Sequence, residues 1–106
     1  MANNFKNAKV DLTATSVTTL YTAGSATTAI FRSILVSNDS GSDDTITLTL
    51  TNGSDVFSIY KTKAITANST NELLTQPLVV DETEILKVTA ATANRLHVVA
   101  SYLEIT

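Results

Sequence analysis

Residues Thr45 to Thr51 alternate strictly between polar and apolar side chains, with Ile46, Leu48 and Leu50 on one parity and four threonines on the other. A period of two places successive side chains on opposite faces of a strand, so this segment predicts a β-strand with one buried face. Asn52-Gly53-Ser54-Asp55 follows. Asn-Gly is a strong hairpin signal because both residues tolerate positive φ, and the partner strand is predicted over Val56 to Lys63. In that strand Phe57 and Ile59 share one face, and Val56 and Tyr60 share the other. Ile46, Leu48, Leu50, Phe57 and Ile59 are therefore the expected core of this hairpin.

The same reading predicts strands at Val10-Asp11-Leu12, Val17 to Thr22 and Thr28 to Ser37. The last of these ends at a polar loop, Asn38 to Asp43. Leu73-Leu74 lies in a short segment of ambiguous pattern. Pro77 opens a strand through Val80, where its missing N–H is harmless. A turn at Asp81-Glu82-Thr83 leads into Glu84 to Ala90, and Arg95 to Ile105 forms the last strand. Threonine, valine and isoleucine resist helix and fit a pleated sheet. About eight short strands separated by turn signals predict an all-β chain: a two-sheet antiparallel β-sandwich, jelly-roll-like, in one domain over residues 1–106.

Two predicted strands are apolar on both faces. In one, Ile30, Ile34 and Val36 oppose Phe31 and Leu35. In the other, Leu96, Val98, Ala100 and Tyr102 oppose Val99, Leu103 and Ile105. A two-layer sandwich buries one face of each strand, so the second set needs another cover. Phe31, Leu35, Val99, Leu103 and Ile105 are accordingly the expected interface residues. Phe5 joins them as the anchor of an N-terminal arm, Met1 to Ala8, which is mostly polar and lacks strand periodicity.

Composition narrows the function. The net charge is −3, and the seven Lys and Arg residues are scattered. Nucleic-acid binders carry a basic face that neutralises phosphate, so no nucleic-acid partner is expected. No apolar run reaches the length of a membrane span, and Met1 to Asn7 has no apolar signal-peptide core, so a soluble protein made in a cytoplasm is expected. There is no cysteine, which rules out a disulfide or a thiolate metal site. His97 is the single histidine and has no nucleophile or carboxylate at a recognisable motif spacing. Asp39, Asp43 and Asp44, with Asn38 and Ser40, match no calcium-loop spacing and read as a solvated turn. The Asn-x-Ser/Thr triplets at Asn38, Asn52 and Asn68 also read as turns. With three glycines, each in a predicted turn, the chain has no phosphate-binding loop. No catalytic residue, cofactor or metal is expected.

The chain resembles a family of short, threonine-rich virion structural proteins of tailed bacteriophages. The resemblance is carried by Met1-Ala2-Asn3-Asn4-Phe5-Lys6-Asn7-Ala8, Leu12-Thr13, Thr18-Thr19-Leu20-Tyr21-Thr22 and Ile34-Leu35-Val36-Ser37-Asn38. It continues through Pro77-Leu78-Val79-Val80, Glu84 to Ala90 and Val99-Ala100-Ser101-Tyr102-Leu103-Glu104-Ile105. It implies a non-catalytic subunit of the virion, assembled in the host cytoplasm. The partners it implies are copies of itself, with a trimer expected, and other virion proteins such as the major capsid protein. A capsid decoration (cement) protein is the first expectation, and a neck, collar, tail or fibre accessory protein the second. No functional residue carries over from the family. A third class, a carbohydrate-binding β-sandwich, would need an exposed aromatic platform from Tyr21, Tyr60 or Tyr102.

Overall fold

The computed structural model describes residues 2–106. It holds nine strands: β1 (Asn3–Asp11), β2 (Thr18–Thr22), β3 (Thr28–Asn38), β4 (Asp44–Asn52), β5 (Asp55–Ile65), β6 (Ser69–Glu72), β7 (Leu78–Val80), β8 (Ile85–Ala90) and β9 (Leu96–Ile105). They form two antiparallel sheets. One has the order β1-β9-β3-β6, with β7 also on β3, and the other has the order β2-β8-β4-β5. The short β6 and β7 share one position, so nine strands fill eight places. The first two strands enter different sheets, as do the last two. The result is the jelly-roll version of the sandwich expected from the sequence.

The core lies between the sheets. From the five-stranded sheet come Phe31, Ile34, Val36, Leu96, Val98 and Ala100, all fully buried; from the four-stranded sheet come Ile46, Leu48, Leu86 and Val88. Tyr21, Phe31 and Tyr102 pack as an aromatic triad with ring centroids 4.7–5.2 Å apart. The Tyr21 hydroxyl reaches across from the other sheet and donates to Glu104 Oε2 at 2.6 Å.

Several sequence expectations change in the folded chain. The expected face assignment within β3 fails because the register with β9 slips between Phe31 and Ser33, leaving Arg32 as an extra residue. A β-bulge resets the alternation, so Phe31 joins Ile34 and Val36 on the inner face. Phe31 is 0% exposed and is a core residue, not an interface residue. The expected arm is mostly strand: β1 begins at Asn3 and pairs along its whole length with β9, from Asn3↔Ile105 to Asp11↔His97. Met1 lies outside the described residues. The backbone of β1 folds onto its own domain, yet the Phe5 side chain stays 81% exposed.

In the β4–β5 hairpin, Asn52 pairs with Asp55, so Gly53 and Ser54 form the two-residue loop. Only Gly53 has positive φ there, at 61°. That is the II′ pattern, centred one residue later than the Asn-Gly expectation. Ile46 and Leu48 are fully buried, while Leu50 and Ile59 are half-buried against the core. Phe57 leaves the predicted core: it pairs with Leu50 near the hairpin tip and is 56% exposed. Register shifts on either side of Leu48 place Tyr60 opposite Leu48, on the inward side.

Candidate docking face

The outer face of the five-stranded sheet is assembled by strand register. One row crosses β7, β3, β9 and β1 as Val79, Ile30, Leu103 and Phe5. A second crosses β6, β3, β9 and β1 as Glu72, Leu35, Val99 and Lys9. Ile105 lies on the same face, between Asn3 and Thr28. Directly opposed residues on neighbouring strands share a face, so both rows lie on one face, separated by the polar row Ser33, Ser101 and Asn7 and by the exposed Arg32. Phe5, Leu35, Val79 and Val99 are exposed, and Ile30, Leu103 and Ile105 are half-buried. The expected interface residues Phe5, Leu35, Val99, Leu103 and Ile105 thus fall together, without Phe31. Sequence reasoning missed Ile30 and Val79. Their signal was the same parity argument, hidden in β3 by the bulge at Arg32.

Two carboxylates of this sheet are held in place, Glu72 on the outer face and Glu104 on the inner side. Glu72 fills the bulge of β3: its carboxylate accepts from the Ser33 hydroxyl, from Ile34 N–H at 2.7 Å and from Leu74 N–H at 3.2 Å. Partial burial pushes its pKa up, but these hydrogen bonds together hold it below the ordinary carboxylate value. Glu104 sits at the end of the core, where it accepts from Tyr21 and from Lys6 Nζ at 2.9 Å; those two bonds depress its pKa. The same contact raises the pKa of Lys6. Burial, then the bond to Glu104, pushes the Tyr21 hydroxyl well above its ordinary value. Tyr21 is therefore a neutral donor that ties the sheets together.

His97 lies at the far end of the same face. Its Nε2 is 3.2 Å from Asp11 Oδ1, and its Nδ1 is 3.7 Å from Asp39 Oδ2. The aspartates of the 38–44 segment diverge. Asp43 Oδ1 accepts from Ala67 N–H at 2.9 Å. Asp44 is buried, not solvated as expected, and accepts from Thr45 N–H at 2.8 Å and Thr92 N–H at 3.2 Å. Among the described residues no three His, Cys, Asp or Glu side chains gather as a metal-ligating group. The tyrosine platform of a sugar-binding module also does not form. Tyr21 and Tyr102 are in the core, and the half-buried Tyr60 carries Lys63 Nζ 5.4 Å from its ring centroid.

The outer face of the five-stranded sheet thus carries two rows of large apolar side chains with a polar row between them. No family model, curated protein or solved structure matches this chain.

Proposed function

We propose that this protein is a non-catalytic structural subunit of a tailed-phage virion, a capsid decoration protein that docks through the outer face of its five-stranded sheet. The observation that carries this reading is the row Val79, Ile30, Leu103 and Phe5, with Leu35 and Val99 further along the same outer face. Large apolar side chains left on the outer face of a small domain support an interaction site. The jelly roll supports the reading by analogy, since viral shell proteins use this architecture among other functions. Such a subunit stabilises an assembled shell because it binds the lattice better than free capsid subunits. Many identical weak contacts then add through effective concentration.

The test is to locate the protein in purified particles of the phage that encodes it, by mass spectrometry followed by electron cryo-microscopy. Copies tiling the shell are the expected result. A single ring at the neck or tail would move the protein to an accessory role, and its absence from particles would overturn the proposal.

A further inference from the structure

We infer that Asn52 is a site of spontaneous covalent modification: its side-chain amide cyclises onto the Gly53 backbone nitrogen and is lost, and the product loosens the tip of the β4–β5 hairpin. The dipeptide that marks the hairpin thus carries a chemistry of its own, on the sheet opposite the docking face.

The reaction needs an amide carbon within reach of the next backbone nitrogen, no bulk beside that nitrogen, and a backbone free to adjust. An asparagine meets the first need by connectivity, since bonding Cγ to the following nitrogen closes a five-membered ring. Gly53 meets the second. Asn52 is the one asparagine followed by glycine; every other precedes a residue that carries a Cβ beside the attacking nitrogen. A Cβ added to Gly53 would meet nothing within 4 Å, so no neighbouring chain crowds the site either.

Position in the fold meets the third need. Asn52 and Gly53 are both exposed. The last ladder pair is Asn52↔Asp55, which leaves the Gly53 nitrogen in the two-residue loop, outside the ladder. Such tips open locally at low cost in free energy, and opening lets the nitrogen reach Cγ. Asn38 is the opposite case. It is buried, its Nδ2 donates to the Ser42 and Ile65 carbonyls at 2.8 and 3.2 Å, and its Oδ1 accepts from Ser40 N–H at 3.0 Å. That amide is fixed.

The step balances with water as the one co-reactant. The Gly53 nitrogen gives its proton to solvent and bonds to Asn52 Cγ. The side-chain nitrogen takes up a proton and leaves as ammonia. Water then adds to either carbonyl of the cyclic imide and breaks its bond to nitrogen, leaving an aspartyl or an isoaspartyl group at position 52. Nothing is oxidised or reduced.

Either product adds one negative charge. Position 52 lies directly opposite Asp55, and like charges so placed oppose strand pairing. The isoaspartyl form also inserts a carbon into the backbone beside a loop whose length sets the register. The neighbouring pairs Thr51↔Val56 and Leu50↔Phe57 are the ones that loosen.

The test is to hold the purified protein for weeks in warm, mildly alkaline buffer and to map its peptides by mass spectrometry. Position 52 should convert several-fold faster than any other asparagine and should give both products. A rate no higher than at the other asparagines would overturn the inference. So would conversion seen only after unfolding in urea, because the folded hairpin would then shield the amide. Asn52→Gln, whose longer side chain cannot close the five-membered ring, should fold like the parent and stay unmodified there. Asn52→Asp should lower the melting temperature by a few degrees, and Asp55→Asn in the same chain should restore it. An Asn52→Asp variant that melts like the parent would overturn the loosening of the tip. These measurements use the isolated protein, so their outcome is independent of whether the chain is found in particles.

Discussion

The two sheets share one core and differ on their outer faces. The four-stranded sheet turns Thr45, Thr47 and Thr49 outward from β4, with Thr89 and Lys87 opposite on β8. The five-stranded sheet turns out Phe5, Ile30, Leu35, Val79, Val99 and Leu103. Both faces obey the same period of two, and both inner faces are closed. A sheet whose outer side meets water shows apolar-in, polar-out alternation, as the threonine face does. The contrast shows that composition averaged over the chain hides the asymmetry that matters. The large apolar side chains left outside collect mainly on the five-stranded side, among polar neighbours such as Ser33, Ser101 and Asn7.

The strongest way to break this contrast is to exchange inside for outside within one sheet. Deleting Val99 from the regular middle of β9 shifts every residue beyond it to the opposite face. Ala100 and Tyr102 would turn out, or Leu96 and Val98 would. The loss should exceed the roughly 5–15 kcal/mol a small domain has, so circular dichroism should show no cooperative melt. Deleting Arg32, the extra residue of the β3 bulge, preserves every face and should leave a folded protein.

A smaller effect compares the two sides of β4. Leu48 is fully buried, and truncating it to alanine should cost about 2–5 kcal/mol in urea unfolding. Thr49→Ala on the outer face should stay within about 0.5 kcal/mol. Equal effects would mean that the outer face is covered within the monomer.

Acid should probe the two hydrogen-bonded carboxylates of the five-stranded sheet. Glu72 and Glu104 both have folded pKa values below the ordinary carboxylate value of about 4.5. A depressed folded pKa adds stability that is present above the unfolded value and lost as pH falls through the folded one. The melting temperature should therefore drop progressively below about pH 4.5. In Glu104→Gln that drop should be shallower, because one of the linked groups no longer titrates.

The smallest change in monomer stability should come from making one outer face resemble the other. Leu35→Thr/Val99→Thr alters exposed side chains, so each change should shift unfolding by about 0.5 kcal/mol or less. On the proposed docking face, the same double variant should lose binding to particles. Retained association would place the contact elsewhere.

Much of the architecture was legible because each face-determining pattern was local. The Ile46-Leu48-Leu50 alternation and the last strand needed only a period of two, and both held. The face-assignment failures in β3 and β5 share one cause, a residue inserted into a ladder. Arg32 moved Phe31 inward, and shifts around Leu48 turned Tyr60 inward while leaving Phe57 exposed at the hairpin tip. Bulges are set by the partner strand and by groups such as the Glu72 carboxylate, which lies far along the chain from the amide it satisfies. β1 was missed over Asn3 to Lys9 because Asn3, Asn4, Lys6 and Asn7 have low strand propensity, and the pairing with β9 supplies what propensity does not. Five of the six expected interface residues gathered on one face because four lie on regular stretches of β3 and β9 and the fifth, Phe5, is carried there by β1.

At the margin of the five-stranded sheet, Ala2 N–H donates to Thr106 C=O at 2.9 Å and Thr106 N–H to Ala2 C=O at 3.0 Å. A few added residues between these positions would close the backbone into a ring without moving a strand. New ends opened at the exposed Gly53–Ser54 loop would then yield a circular permutant with the same ladders. Cargo attached there would leave from the tip of the β4–β5 hairpin, on the four-stranded sheet, away from the proposed docking face. Cargo attached at Thr106 would emerge beside the Phe5 row. The scaffold thus offers two display points on different sheets, one remote from the proposed docking face and one beside it.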